Sequence, residues 1–457
     1  MMGSVTLNHR NVILLNERPA EAAGRYVLYW MQHSQRAANN PALERAIARA
    51  NDCGKPLLVL FVVDPDYPEA NARHYTFMLE GIKETLAAIE KRGAHAALRL
   101  GRPPEVAMRL AKDAAAVVTD RGYLRHLVEW RQALAEDCRC LVEMVEGDVV
   151  VPVEAASSKP EIGARTLRSK LHRAVDDFAA LPETVTLDVK AKGLGSDDDR
   201  TLGDVAAFVE SLDIDASVPP VTGFKGGTRA ARSRLKSFLD DDLSHYGDGR
   251  ADIVDRHVSG LSPYLHFGQI SPVEIHRAVK DADAASDNKA SFIEEMLVRR
   301  ELAVNFVHYT PDYDSYTCLP GWAKQSLAAH KDDPREHVYT AAELEDGKTE
   351  DPYWNAAMRE MRVTGYLHNH LRMYWGKRII AYTNTPEHAY RTALYLNNKY
   401  LIDGRDANSY ANIGWLFGLH DRGWPERAVF GKVRTMTASG LKRKFDPDAY
   451  VSWVQEL

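Results

Sequence analysis

The chain has 457 residues, 45% hydrophobic and 27% charged, an ordinary balance for a folded globular protein of two or three domains. Its net charge of −6 argues against a surface coated in nucleic acid, though not against a local basic face, and no run of 18 apolar residues offers a membrane-spanning helix. Four cysteines in so long a chain fit reduced thiols in a cytosolic compartment, and the Cys138-x-Cys140 pair lacks the second pair or nearby histidine of a zinc site.

Residues 1–24 read as a loosely held arm without the pattern of a secretory signal. RYVLYWM (25–31) reads as a buried strand. A helix is predicted from Asn40, with Pro41 in its first turn and Leu43, Ile47 and Ala50 on one face. PLLVLFVVD (56–64) is a continuous apolar run of strand length, as in a central parallel strand covered on both sides. A long helix follows over roughly 71–92, then strands at 96–101, 115–120 and 140–147 with helices between them. Strands alternating with helices over 25–150 predict a doubly wound parallel sheet. No G-x-G-x-x-G follows the first strand, so the usual dinucleotide fingerprint is absent.

Residues 151–200 are irregular and read as an interdomain connector with a short helix near 167–178. From 201 to 457 the periodicity is helical, with helices predicted at 228–245, 271–282, 288–308, 353–363, 366–382, 386–398 and 406–417. The expected fold class is thus α/β plus all-α, the larger helical domain second. Two stretches are rich in basic residues, Lys225–Lys236 and Asp421–Lys444.

Several stretches carry more chemistry than a core needs. In VSGLS (258–262), small side chains and free N–H groups before a helix suit a diphosphate, or an ordinary helix cap. Glu294, Glu295, Arg299, Arg300 and Glu301 have spacings that suit surface ion pairs, a reading that fits Glu294 and Glu301 well. TGYLHNHLRMYW (364–375), LNNKYLIDGRDANSYANIGW (396–415) and LHDRGW (419–424) place Trp, Arg, Asp, Asn and His where a plain core helix would carry Leu and Ala. Gly404 supplies the permissive backbone that close approach to a flat ligand needs.

Those three stretches occur with VSGLSPYLHFGQIS (258–271), FIEEMLVRRELAVNF (292–306), DPYWNAAMREM (351–361), HDRGWPERAVFGKVR (420–434) and LKRKFD (441–446). In order and spacing, from about Arg25 onward, the chain resembles class II cyclobutane pyrimidine dimer photolyases of the cryptochrome/photolyase family. The resemblance implies a lyase that repairs dimers in UV-damaged DNA, driven by light through reduced FAD. It implies a flavin site with Tyr246 and the run Val258, Ser259, Gly260, Leu261 and Ser262 at the diphosphate. Arg372 and Asp403 would flank the ring, Asp406 would close its other edge, and Asn397 would face N5. Glu295 would hydrogen-bond the lesion, with Arg299 beside it. Met373 and Trp415 would line the dimer pocket, and Arg422 and Trp424 would enter the gap left in the duplex. Arg427, Lys432, Arg434, Lys442, Arg443 and Lys444 would grip phosphates. Trp354 and Trp375 would carry electrons to the flavin.

Tyr382 stands where many relatives carry the surface Trp, Asn369 stands where class II members usually have Gly, and WLFGLHD is one residue shorter than the usual loop. With Tyr382 as terminal donor, photoreduction is expected to be slower or rerouted, while Asn369 and the shorter loop bear on lesion preference and loop geometry. In the family the first domain can hold an antenna pigment, a deazaflavin or another; the sequence leaves that open. A monomer without membrane attachment is expected, cytoplasmic and nucleoid-associated when on DNA, with no metal. The alternative is a cryptochrome-like photoreceptor without repair activity, against which Glu295, Trp415 and the basic HDRGW tail weigh. A third reading, repair of the (6–4) photoproduct, rests on His368 and His370.

Overall fold

A computed structural model describes residues 12–457; the first eleven residues of the expected arm lie outside the described residues. Six strands form one sheet: β1 (Val12–Leu14), β2 (Tyr26–Met31), β3 (Leu57–Val63), β4 (His95–Leu100), β5 (Ala114–Asp120) and β6 (Leu141–Val145). Their order is β1-β6-β5-β2-β3-β4, with β1 antiparallel and the rest parallel. β1 falls within the stretch expected to be an arm. Three residues, partly exposed, carry too little pattern to announce a strand.

Alternation explains the two layers of helix on the sheet. Val27, Tyr29 and Met31 of β2 pack with the Pro41–Cys53 and Ala72–Lys91 helices. Tyr26, Leu28 and Trp30 pack with the Pro103–Ala111 and Arg125–Asp137 helices. Every residue of β3 is buried, as its apolar run requires. Asn40 starts its helix by accepting from the backbone N–H groups of Ala42 (3.0 Å) and Leu43 (3.1 Å).

The connector contains a longer helix than expected, Ala164–Phe178, whose Leu167 and Leu171 pack on Leu297, Val298 and Leu302 of the helical region. Two of the expected long helices are each interrupted by a π-helical turn, at Phe238–Asp242 and Glu294–Arg299. The extra residue rotates everything after it relative to a regular helix.

The α/β and helical regions are joined by buried polar contacts. Arg73 donates to the Pro219 carbonyl and to those of Met361, Arg362 and Tyr400, the last three at the C-terminal ends of two helices. His74 meets the Leu401 carbonyl at 3.1 Å, and Asn71 donates to the Lys399 carbonyl at 2.8 Å. The Asn71–His74 turn thus holds the backbone immediately before Asp403.

Candidate active site

Arg372, in the first turn of the Asn369–Tyr382 helix, donates to the Leu367 carbonyl (2.8 Å) and to Asp403 Oδ2 (2.9 Å). Burial works to lower the Arg372 pKa, but the Asp403 charge outweighs it, so the guanidinium stays ionised. Asp403 is 8% exposed, and its other oxygen, Oδ1, is buried without a partner. A buried carboxylate oxygen without a donor fits a ligand that brings an N–H there, and a buried cation beside it fits a ligand that carries negative charge.

Two glycines shape this place. Gly365 ends the Pro352–Thr364 helix at φ +68, and a Cβ there would meet the Ile402 side chain at 2.8 Å. At Gly404 a Cβ would come within 2.9 Å of the Asn397 carbonyl and the Asn398 Cα. Gly404 is therefore needed because the loop folds onto the helix before it, whereas sequence reasoning assigned it to contact with a flat ligand. Arg405, next along, takes the left-handed conformation (φ 61), and its N–H is held by Asn398 Oδ1 at 2.9 Å. Asn397 is buried and donates to the same oxygen at 3.1 Å, which fixes its amide.

Asp406, expected at the far edge of the flavin, lines a cavity between the two regions. It caps the Ala407–Leu416 helix through the Asn408 N–H (2.8 Å) and lies 3.4 Å from His266 Nδ1. Burial works to raise its pKa, but the hydrogen bond and charge of His266, with Arg300, hold it at about 2. Capping is the competing demand, since an Asp before a helix is drawn to the first free N–H groups. The cavity encloses about 90 Å³ at the C-terminal ends of the strands, among Trp30, Gln32, Tyr67, Trp130 and Arg405. Gln32 Nε2 and Arg405 Nε and Nη2 are buried there without partners.

Tyr246 is buried, its ring edge-on to Phe292 at 5.3 Å. In the Val258–Ser262 run, Gly260 has φ +62, and Arg234 binds the carbonyls of Ser259 (2.6 Å) and Val258 (2.7 Å). That leaves Arg234 as the organiser of the loop, a role its sequence position did not announce. The first basic patch is largely neutralised: Arg232 pairs with Glu274, Lys236 with Asp240, and Arg234 approaches Asp242 at 3.9 Å.

Glu295 sits on the Glu294–Arg299 π turn and pairs with Arg250 at 2.6 Å, both about one-third exposed. Arg250 was missed; its carbonyl also meets His368 Nε2 at 3.0 Å. Glu294 forms surface ion pairs as expected, with Arg168 (2.7 Å) and Arg299 (3.1 Å). Arg299 therefore points to Glu294 and not to Glu295. Glu301 departs from its expected surface role. It is 3% exposed and accepts from the Val150 and Val151 N–H groups, because the π turn rotates it inward. Burial pushes its pKa up to about 8.

Trp354 and Trp375 stack 6.5 Å apart at 10°, and Tyr382 stands edge-on to Trp354 at 6.2 Å. Tyr382 is 3% exposed, so it does not occupy the surface place of the missing Trp. Half-buried Tyr339 lies beyond it, edge-on at 5.1 Å. Nothing in the sequence around Tyr339 marks it out, because it approaches from a separate loop.

Met373 and Trp415 are half-buried, Arg422 and Arg443 exposed. Arg422 lies 5.2 Å from the Trp424 ring, and Arg434 lies near two indoles, Trp415 and Trp424. His368 and His370 are both held neutral, at about 4, chiefly by burial.

Residues 27–187 match a family model described as DNA photolyase, and residues 292–457 one described as the FAD binding domain of DNA photolyase. The chain is 44% identical to a deoxyribodipyrimidine photo-lyase of Methanothermobacter thermautotrophicus, covering 97% of both. It is 39% identical to a protein of that name from Oryza sativa subsp. japonica, over 94% of this chain and 88% of that one. A bacterial class III photolyase from Agrobacterium tumefaciens shares the fold, with a TM-score of 0.74 at 20% identity over 95% of this chain and 86% of that one.

Proposed function

Since the chain belongs to the DNA photolyase family, we propose that it is a class II enzyme that splits cyclobutane pyrimidine dimers in UV-damaged DNA under light. FAD is its cofactor; bound in reduced form, it supplies the light-driven electron that opens the cyclobutane ring and takes that electron back. The observation that carries the site assignment is the Arg372–Asp403 pair with its unpartnered, buried Oδ1.

Each residue then has a physical task. Arg372 offsets the cost of burying the negative charge of a reduced flavin. Asp403 Oδ1, buried without a partner, would accept from the ring N–H of the flavin. Asn397, its amide fixed by Asn398, would face N5. Tyr246 and the Val258–Ser262 loop, organised by Arg234, hold the diphosphate. Glu295 hydrogen-bonds a base of the dimer, and its ion pair with Arg250 aims the carboxyl group. Met373 and Trp415 line the pocket for the turned-out bases. Arg422 and Trp424 fill the gap in the duplex, while Arg299, Arg434 and Arg443 meet the phosphate backbone. Trp375, Trp354, Tyr382 and then Tyr339 form a path for electrons from the surface. Asp406 is assigned to the interdomain cavity, which has the position and the free polar atoms to hold an antenna pigment.

We read residues 25–150 as the antenna-type domain, 151–200 as the connector and 201–457 as the FAD- and DNA-binding domain. We further propose a monomer that works in the cytoplasm and on the nucleoid; among the described residues no helix is long and apolar enough to cross a membrane.

The test is anaerobic reduction of the flavin-loaded protein followed by illumination with an oligonucleotide carrying one thymine dimer. Loss of the dimer only under blue light is the expected result. A bound flavin with no dimer loss would move the chain to the photoreceptors.

A further inference from the structure

Five side chains outside the flavin site form one alternating series of cations and indoles. The Lys377 ammonium lies 5.1 Å from the Trp415 ring, and the Arg434 guanidinium carbon lies 5.6 Å from that ring. The same Arg434 carbon is 4.9 Å from Trp424, and Arg422 lies 5.2 Å from Trp424. The series runs from a fully buried lysine, anchored on the Leu416 carbonyl, to an exposed arginine.

The two indoles belong to different parts of the DNA site proposed above. Trp415 lies in the last turn of the Ala407–Leu416 helix and walls the dimer pocket. Trp424 sits on the loop that enters the duplex. That loop is itself tied down: Trp424 N–H donates to the Lys432 carbonyl (2.8 Å), its indole N–H to Asp421 (3.2 Å), and Arg427 and Gly431 bond each other at 2.9 and 2.7 Å. Arg434 makes no ion pair among the described residues, so no carboxylate competes for its guanidinium. A guanidinium is planar and weakly hydrated, and it stacks on aromatic faces where a lysine ammonium acts as a hydrated point charge.

We propose that Arg434 is a positioning residue that couples Trp424 to Trp415, so that entry of the loop into the duplex and closure of the pocket wall on the turned-out dimer become one event. This rests on the photolyase reading of the site. It gives Arg434 a task distinct from phosphate neutralisation, for which any cation would serve. Movement of Trp424 as it enters the duplex carries Arg434 with it, and Arg434 lies against the same Trp415 ring that Lys377 contacts.

The experiment is a double-mutant cycle on the dark affinity of the holoenzyme for a duplex with one thymine dimer. Trp415→Phe and Trp424→Phe are measured singly and together, in the Arg434 protein and in Arg434→Lys. With Arg434 present, each substitution should weaken binding by about tenfold, and the pair by far less than the product of the two, as coupled sites do. In Arg434→Lys the two effects should multiply, while the slope of affinity against salt stays unchanged because the charge is retained. Costs that multiply already in the Arg434 protein would overturn the proposal, as would coupling that survives Arg434→Lys. A single-stranded dimer needs no wedge, so Trp424→Phe should leave its affinity unaltered. Wild-type protein that fails to repair that strand under light would instead overturn the photolyase reading.

Discussion

A buried charge is tolerated only with its partner, and Arg372 shows how narrow that condition is. Among the described residues its carboxylate partner is Asp403, whose second oxygen is buried there without a donor. Asp403→Asn should therefore leave a buried guanidinium uncompensated and weaken flavin retention by about 100-fold or more, since breaking such a pair costs about 3–5 kcal/mol. Flavin remaining on the protein after gel filtration measures this; full retention by the variant would remove Asp403 from the site. Arg372 and Asp403 were expected as a pair because the LRMYW and DGRD stretches resemble those of the photolyase family. Arg250 was not, because its partner Glu295 lies 45 residues away and only folding brings them together. For Asp406, DGRD presents two similar carboxylates, and nothing in the letters says that the second also caps a helix.

Helices and strands were read well where their apolar pattern was long and regular. The β3 run and the Pro386–Tyr400 helix are examples. The π turns were invisible, since one added residue blurs a periodic pattern without breaking it, and with them went the inward rotation of Glu301. The aromatic path is also a matter of how elements meet. Trp354 and Trp375 lie on two helices that pack face to face, and Tyr382 follows Trp375 by two turns of the same helix. Trp354→Phe should nearly abolish photoreduction while chemically reduced enzyme still repairs dimers. Tyr339→Phe should slow photoreduction less, because Tyr382 stays in place. Flavin bleaching under light with an external thiol measures both. Loss of repair in pre-reduced Trp354→Phe would show that Trp354 is more than a conduit.

Stability across the joined regions depends on buried titratable groups such as Glu301. Glu301 has a folded-state pKa of about 8 against an ordinary 4.5, so the native protein holds a proton that the unfolded chain releases between those values. Stability therefore falls as pH rises through that window, and the cost is present in full above it. Glu301→Gln, which keeps an oxygen for Val150 and Val151, should raise the apparent Tm at pH 8.5 by about 2–4 °C. The gain should shrink at pH 5; an equal gain at both would assign the effect to packing. The contacts of the Asn71–His74 turn have a wider consequence. They reach from the first domain to the backbone just ahead of Asp403, so the fold of one half sets the geometry of the cofactor loop in the other. The helical half cut free of the first domain would leave the Lys399, Tyr400 and Leu401 carbonyls without these partners, so whatever pigment the cavity does or does not hold, the domain around it also serves as the other half's scaffold.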